Sequence, residues 1–289
     1  MSSHAQTRYL ITGASGMLGS DLVAALAGRD VTALSRADLD ITDPDAVMAA
    51  VAGHDVVLNT AAYTRVDDAE TDEATATLVN GTAPGYLAAA AAAAGATLVQ
   101  YSTDYVFDGT GTSPYEEDAP LHPLNAYGRS KAAGERAALD ANPWRTIVLR
   151  TAWIYGAHGP NFASTMLRLA AERDTLSVVT DQVGQPTWTM DLARQTIALL
   201  DAGVVAGVYH ATNSGTASWF EFAQAVLEGA GLDPDRVKPT ESTSFVRPAP
   251  RPAYSVLGHD AWGLTGIAPM RPWREALGEA QKTEIFGAQ

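Results

Sequence analysis

Arg8-Tyr-Leu-Ile-Thr12 runs directly into Gly13-Ala-Ser-Gly16-Met-Leu-Gly19. The first five residues form a short apolar run, and a helical pattern through Leu22 and Leu26 follows the glycines. Strand, glycine-rich turn and helix, in that order, predict a dinucleotide-binding unit. Glycines at 13, 16 and 19 permit the tight turn and let backbone approach a pyrophosphate, which then meets the positive end of the helix dipole. The spacing is G-x-x-G-x-x-G rather than G-x-G-x-x-G.

The same unit repeats downstream. Val31-Thr-Ala-Leu34 reads as a second strand followed by Ser35-Arg36, and Pro44 opens a helix to about Ala52. Asp55-Val-Val-Leu-Asn59 is a third strand, near-continuously apolar as a strand covered on both faces should be. A long alanine-rich helix over about Ala83–Ala94 ends at Gly95, and Ala96–Tyr101 is a fourth strand that delivers Ser102-Thr103-Asp104. Alternation of this kind predicts an α/β fold with a doubly wound parallel sheet. The glycine turn, the Asn59–Val66 loop and Ser102–Asp104 would then share the carboxyl edge, where such sheets bind ligands.

Further elements follow, and from Ser214 the pattern loosens. Arg145–Arg150 is a further strand, Asn161–Ala170 an amphipathic helix and Asp181–Thr187 a polar turn. A helix over about Thr189–Leu200 and a strand at Gly207–His210 return to the sheet. The expected division is residues 1–150 with 187–211 as the dinucleotide-binding domain, and 151–186 with 212–289 as a smaller, discontinuous substrate-binding domain.

Residue 36 follows the second strand, where an acid meets the adenosine ribose of NAD and an arginine favours the 2′-phosphate of NADP. Arg36 points to NADP, while Asp38 and Asp40 argue the other way. Tyr127-Gly-Arg-Ser-Lys131 places a phenol and an ammonium one helical turn apart. An ammonium there would lower the phenol's pKa from about 10 towards a range useful for acid–base catalysis. Thr103 would offer its hydroxyl to the same oxygen.

The 289 residues carry 19 Lys+Arg against 33 Asp+Glu, a formal charge of −14, which argues against a nucleic-acid partner. There are no cysteines, so neither disulfides nor thiolate chemistry is available. The amino-terminal Met1–Gln6 lacks a leader's apolar run, and Ala88–Ala94 is too short to span a bilayer, so no membrane association and a cytoplasmic location are expected. The six histidines show no metal-ligand spacing, so no metal is expected. Arg247 and Arg251, which flank prolines, are candidate cations for a substrate diphosphate.

Taken with Asn59–Asp67, Ser102-Thr-Asp-Tyr-Val-Phe107, Tyr127-Gly-x-Ser-Lys131, Arg150–Tyr155 and Asp181-Gln-x-Gly-x-Pro-Thr187, the chain resembles the extended short-chain dehydrogenase/reductases. Within them it is similar to the dTDP-4-dehydrorhamnose reductase family, almost end to end. The resemblance implies reduction of the 4-keto group of dTDP-4-dehydro-β-L-rhamnose to dTDP-L-rhamnose with NADPH or NADH. It implies that Tyr127 protonates the developing alkoxide, that Lys131 tunes the phenol and holds the nicotinamide ribose, and that Thr103 meets the keto oxygen. Asp104, Val66 and Trp153 would contact the sugar. Gly13, Ser15, Gly16, Met17 and Leu18 would hold the cofactor at the turn, with Asp40 and Ile41 at the adenine and Ala61, Ala62 and Tyr63 at the nicotinamide half. A homodimer also falls within what the resemblance implies. Some relatives dimerise around a magnesium ion, but Met190 stands at one of the matching acidic positions. The alternatives are another nucleotide-sugar epimerase or dehydratase of the same family, or a non-catalytic NADP-binding regulatory subunit.

Overall fold

In the computed structural model, residues 7–283 are described; Met1–Gln6, with its expected lack of a leader and His4, lies outside them. The amino-terminal half runs β1 (Arg8–Thr12), α1 (Met17–Ala25), β2 (Asp30–Leu34), α2 (Pro44–Val51), β3 (Val56–Asn59), α3 (Glu73–Thr77), α4 (Ala83–Ala94), β4 (Thr97–Thr103), α5 (Ala126–Ala141) and β5 (Thr146–Thr151). Next come β6 (Ile154–Tyr155), α6 (Phe162–Glu172), β7 (Leu176–Val179), β8 (Val183–Gly184), β9 (Thr187–Trp188), α7 (Thr189–Asp201) and β10 (Gly207–His210). The chain closes with β11 (Ala217–Ser218), α8 (Trp219–Gly229), β12 (Val237–Thr240) and α9 (Trp273–Ala280).

Six parallel strands build the central sheet in the order β10-β5-β4-β3-β1-β2. Adjacent residues on each strand serve opposite faces. Ile11, Leu58 and Val99 pack with Leu22 of α1 and Leu192 of α7, while Leu10, Val57 and Leu98 pack with Val47 of α2 and Leu87 of α4. This two-sided burial explains the unbroken apolar runs in the sequence. The small side chains of α4 let it lie close to the sheet, and Gly95, in the left-handed conformation (φ 69°), ends it.

Strand order reverses between β1 and β3, so a crevice opens where their carboxyl ends diverge. Buried polar side chains line up there. Thr12 Oγ1 donates to Asn59 Oδ1 at 2.7 Å, and Asn59 Nδ2 donates to Gln100 Oε1 at 2.7 Å.

A second apolar cluster gathers Tyr155, Met166, Leu176, Trp188, Phe222 and Trp273 from elements after residue 150. Two local expectations differ from the structure. β4 extends to Thr103 rather than ending at Tyr101, because Ser102 and Thr103 pair in register with Arg150 and Thr151 of β5. The Asp181–Thr187 segment is not simply a turn: it contains β8, antiparallel to β11, and the start of β9, parallel to β6.

Candidate active site

A cleft of about 980 Å3 opens at the carboxyl edge, over the point where strand order reverses. Gly13, Ser15, Gly16, Met17, Leu18 and Gly19 line it from the turn before α1, and Arg36, Asp40 and Ile41 from the segment after β2. The loop after β3 adds Ala61, Ala62 and Tyr63; β4 and α5 add Thr103, Tyr127 and Lys131; Trp153 follows β5. Val66, Asp104, Arg247 and Arg251 are not among the lining residues.

The turn is a cradle that side chains would fill. Gly13 has φ +68°, and a Cβ on it would meet the Ala61 backbone nitrogen at 2.7 Å. A Cβ on Gly19 would lie 2.4 Å from the Gly13 carbonyl oxygen. Gly16 starts α1 with extended backbone and no side-chain cap, so the N–H groups of the first turn remain available to an anion. The residues present therefore fit a dinucleotide pyrophosphate.

Around Arg36 the two acids are engaged by their own neighbours. Asp38 Oδ2 accepts from the Ser35 N–H at 2.9 Å and the Ser35 hydroxyl at 2.6 Å. Asp40 Oδ1 accepts from the Thr42 N–H at 2.9 Å and hydroxyl at 2.7 Å. Those hydrogen bonds hold both carboxyls below the usual range, with Arg36 adding a smaller pull on Asp40. Two carboxylates that cap local turns compete little for a ribose, and the arginine beside them suits a 2′-phosphate.

Tyr127 stands in the first turn of α5. The cap, Asn125, accepts from the Gly128 N–H at 2.7 Å and donates to the Pro250 carbonyl at 2.8 Å, tying the helix start to the distant 247–251 segment. The Thr103 hydroxyl lies near enough to Tyr127 to draw the phenol's pKa down, and Thr103 Oγ1 donates to Asp104 Oδ1 at 2.9 Å. The structure thus brings phenol, hydroxyl and carboxylate to one place.

The electrostatics depart from the expectation that Lys131 lowers the phenol. Burial, then the nearby Asp104 carboxylate, push Tyr127 up to about 12, and the Thr103 hydroxyl only partly opposes them. Lys131 is spent elsewhere: its Nζ donates to the Tyr101 carbonyl at 2.6 Å, and burial, countered by Glu135, leaves it at about 8. Asp104, 2% exposed, is itself raised to about 6, chiefly by burial, with the hydroxyls of Ser255 and Thr103 opposing. Its Oδ2 lies buried without a geometrically good hydrogen bond.

Beneath Lys131 lies a closed polar network. Arg150 and Glu135 pair at 2.8 Å with side chains only 5% and 2% exposed. Glu135 also accepts from Ser102 Oγ, and Arg150 Nη1 donates to the Glu117 carbonyl at 2.9 Å. Burial and the Arg150 charge hold His210 neutral, down at about 3.

Arg247 and Arg251 are held by Asp67 beside the cleft rather than in its lining. Arg251 Nη1 donates to Asp67 Oδ1 at 2.5 Å and to the Ala249 carbonyl at 2.6 Å, while Arg247 lies 3.9 Å from the same carboxylate. Asp67 follows Val66, so one acid draws both arginines to the rim of the β3 loop. Besides Arg36, the guanidinium that lines the cleft is Arg65, poised 4.9 Å from the centre of the Tyr63 ring. Sequence reasoning also missed Asn80. Carried on a π-helical turn (Leu78–Thr82), it accepts from the Tyr63 N–H at 2.8 Å and donates to the Tyr63 carbonyl at 2.9 Å and to Ser130 Oγ at 3.0 Å. Two backbone contacts made by one buried amide fix the Ala61–Tyr63 loop against α5. The one signal available was its place just before the long alanine helix.

Trp153 has φ 46°, the only non-glycine residue in the left-handed region among those described. Such a conformation costs about 1–3 kcal/mol and persists only where surroundings hold it.

The family described as RmlD substrate binding domain matches residues 7–285. The chain belongs to this family. A dTDP-4-dehydrorhamnose reductase of Streptomyces griseus is 51% identical, over 97% of this chain and 95% of its own length. A dTDP-4-keto-6-deoxy-D-glucose reductase of Streptomyces niveus is 50% identical, over 94% of this chain and 96% of its own. Among solved structures, the dTDP-4-dehydrorhamnose reductase of Bacillus anthracis in complex with NADP superposes with a TM-score of 0.91 at 36% identity, covering 96% of this chain and 99% of that one. In this RmlD-family member, no helix among the described residues is long and apolar enough to cross a membrane.

Proposed function

We propose that the chain reduces the 4-keto group of dTDP-4-dehydro-β-L-rhamnose to give dTDP-L-rhamnose, with NADPH as the preferred reductant. One observation carries the reading: Thr103, Tyr127 and Lys131 converge on a cleft whose other walls are the glycine cradle and Arg36. When bound, NADPH supplies the hydride. The glycine turn and the start of α1 would hold its pyrophosphate, Arg36 its 2′-phosphate, and Lys131 its nicotinamide ribose.

Tyr127 acts as a stored acid. With its pKa at about 12 the phenol stays protonated across the physiological range, as a reduction that ends by protonating an alkoxide requires. An alkoxide is a stronger base than a phenolate, so transfer from Tyr127 Oη remains downhill. Thr103 holds the phenol in line, and the Asp104 carboxylate behind it discourages premature loss of the proton. Trp153 gives the sugar an apolar wall, and Arg65 is the cation best placed for its diphosphate.

The test is consumption of NADPH and of NADH with dTDP-4-dehydro-β-L-rhamnose and, separately, dTDP-4-keto-6-deoxy-D-glucose. Stoichiometric NADPH oxidation with the first sugar is expected. Turnover of sugar without net oxidation would indicate an epimerase and contradict the reading. The similarity to the Streptomyces niveus protein favours one second reading, reduction of the D-gluco sugar, which the same panel separates.

A further inference from the structure

The Asp181–Thr187 string stood out in the sequence, yet none of its residues lines the cleft or enters the proposed chemistry. Its placement gives it a different task. Gly184 of β8 pairs with Ala217 of β11, and Val183 pairs with Ser218. A Cβ on Gly184 would fall 2.5 Å from Trp153 Cε2 and 2.8 Å from its Nε1, so only glycine leaves room for that indole. Ser218, at the end of β11, accepts from the Glu221 N–H at 3.1 Å while Glu221 accepts from the Ser218 N–H at 2.7 Å. This reciprocal cap fixes the start of α8, whose first residue is Trp219. The Trp219 ring stacks on Trp153 with centroids 3.6 Å apart and planes within 7°. Phe162 and Phe222 continue the aromatic contact into the second apolar cluster. The backbone is held too, since the Thr187 N–H donates to the Trp153 carbonyl at 3.2 Å.

Resting on the reading that Trp153 meets the sugar, we propose that the β8–β11 ribbon and Trp219 form a clamp that fixes Trp153 and so selects which 4-keto sugar the cleft accepts. Trp219 is a positioning residue, acting through Trp153. The clamp accounts for three observations at once: the strained backbone at Trp153, the absent side chain at 184 and the parallel indole pair. A wall that could swing would accept sugars of either ring shape; a wall pinned on its outer face accepts one.

The experiment compares Trp219→Ala, Trp219→Phe, Gly184→Ala, Trp153→Ala and the Trp153→Ala/Trp219→Ala double variant. Four quantities are read: the Kd for dTDP-L-rhamnose by equilibrium titration, KM and kcat for the two keto sugars at saturating NADPH, the KM for NADPH, and the far-ultraviolet exciton couplet of the stacked indoles. Trp219→Ala is expected to abolish the couplet and weaken sugar-nucleotide binding about tenfold. The KM for NADPH should be unmoved, and preference between the two sugars should fall by a similar factor. Trp219→Phe should restore most of the affinity, Gly184→Ala should mimic the loss, and the double variant should be no worse than Trp153→Ala. Additive losses in the double variant, an unchanged Kd in Trp219→Ala despite loss of the couplet, or an equal loss of NADPH affinity would each overturn the clamp. The titration needs no turnover, so a chain that binds the nucleotide sugar but fails to oxidise NADPH refutes the reductase reading without deciding the clamp's arm.

Discussion

Replacing Asp104 by asparagine should stabilise the protein, and only above the pH at which the carboxyl ionises. In the fold Asp104 is buried, one oxygen accepts from Thr103, the other has no good partner, and its pKa stands at about 6 against 3.8 for the ordinary group. At about 1.4 kcal/mol per unit, ionising it in place costs the folded state about 3 kcal/mol. The sign follows from proton binding. Between the ordinary value and about 6 the folded state holds more protons than the unfolded chain, so stability falls as pH rises through that window and the full cost is present above it. Asparagine keeps the shape, can still accept from Thr103, and offers its amide to the neighbouring Ser255 hydroxyl. Allowing about 1 kcal/mol for the weaker neutral hydrogen bond, a gain of about 2 kcal/mol should remain. Thermal unfolding at about pH 8 should then show the variant melting about 4 °C higher, with little difference at about pH 4. Activity should fall in exchange, because the charge that keeps the Tyr127 proton in place is gone. A variant equally destabilised at both pH values would refute this account of Asp104 as a strained, functional charge.

Two further perturbations bear on the cradle and the network. Gly19→Ala drives a methyl to within 2.4 Å of the Gly13 carbonyl, so NADPH binding, read by fluorescence titration, should fall at least tenfold while the fold survives. Glu135→Gln leaves the 5%-exposed Arg150 charge unpaired and should cost about 3–5 kcal/mol in urea unfolding, whereas Glu135→Gln with Arg150→Met should recover much of it.

The sheet was legible in the sequence because a parallel strand covered on both faces is written as an unbroken apolar run. Leu10-Ile11, Val57-Leu58 and Leu98-Val99 each serve both cores at once. The glycine turn was legible because its requirement is steric and local. Ser102 and Thr103 read as loop since their strand pairing depends on Arg150 and Thr151, some fifty residues away in sequence. The short strands β7 and β12 were invisible for the same reason: Leu176–Val179 pairs only with Val237–Thr240. At the site, residue types were readable and their electrical states were not. Spacing puts Lys131 one turn from Tyr127, but burial and the Tyr101 carbonyl decide where its ammonium rests, and Asp104 decides the phenol. The pairing of Arg251 with Asp67, a partner 184 positions away, could not be read from the sequence.

The central claim is that the Tyr127 hydroxyl is the acid for the reduction and little else. Tyr127→Phe keeps the ring and its edge contact with Tyr105 while removing the one donated proton. NADPH oxidation with dTDP-4-dehydro-β-L-rhamnose should fall about 10²–10⁴-fold in this variant, with NADPH affinity nearly unchanged. Turnover at the parent rate would contradict the account.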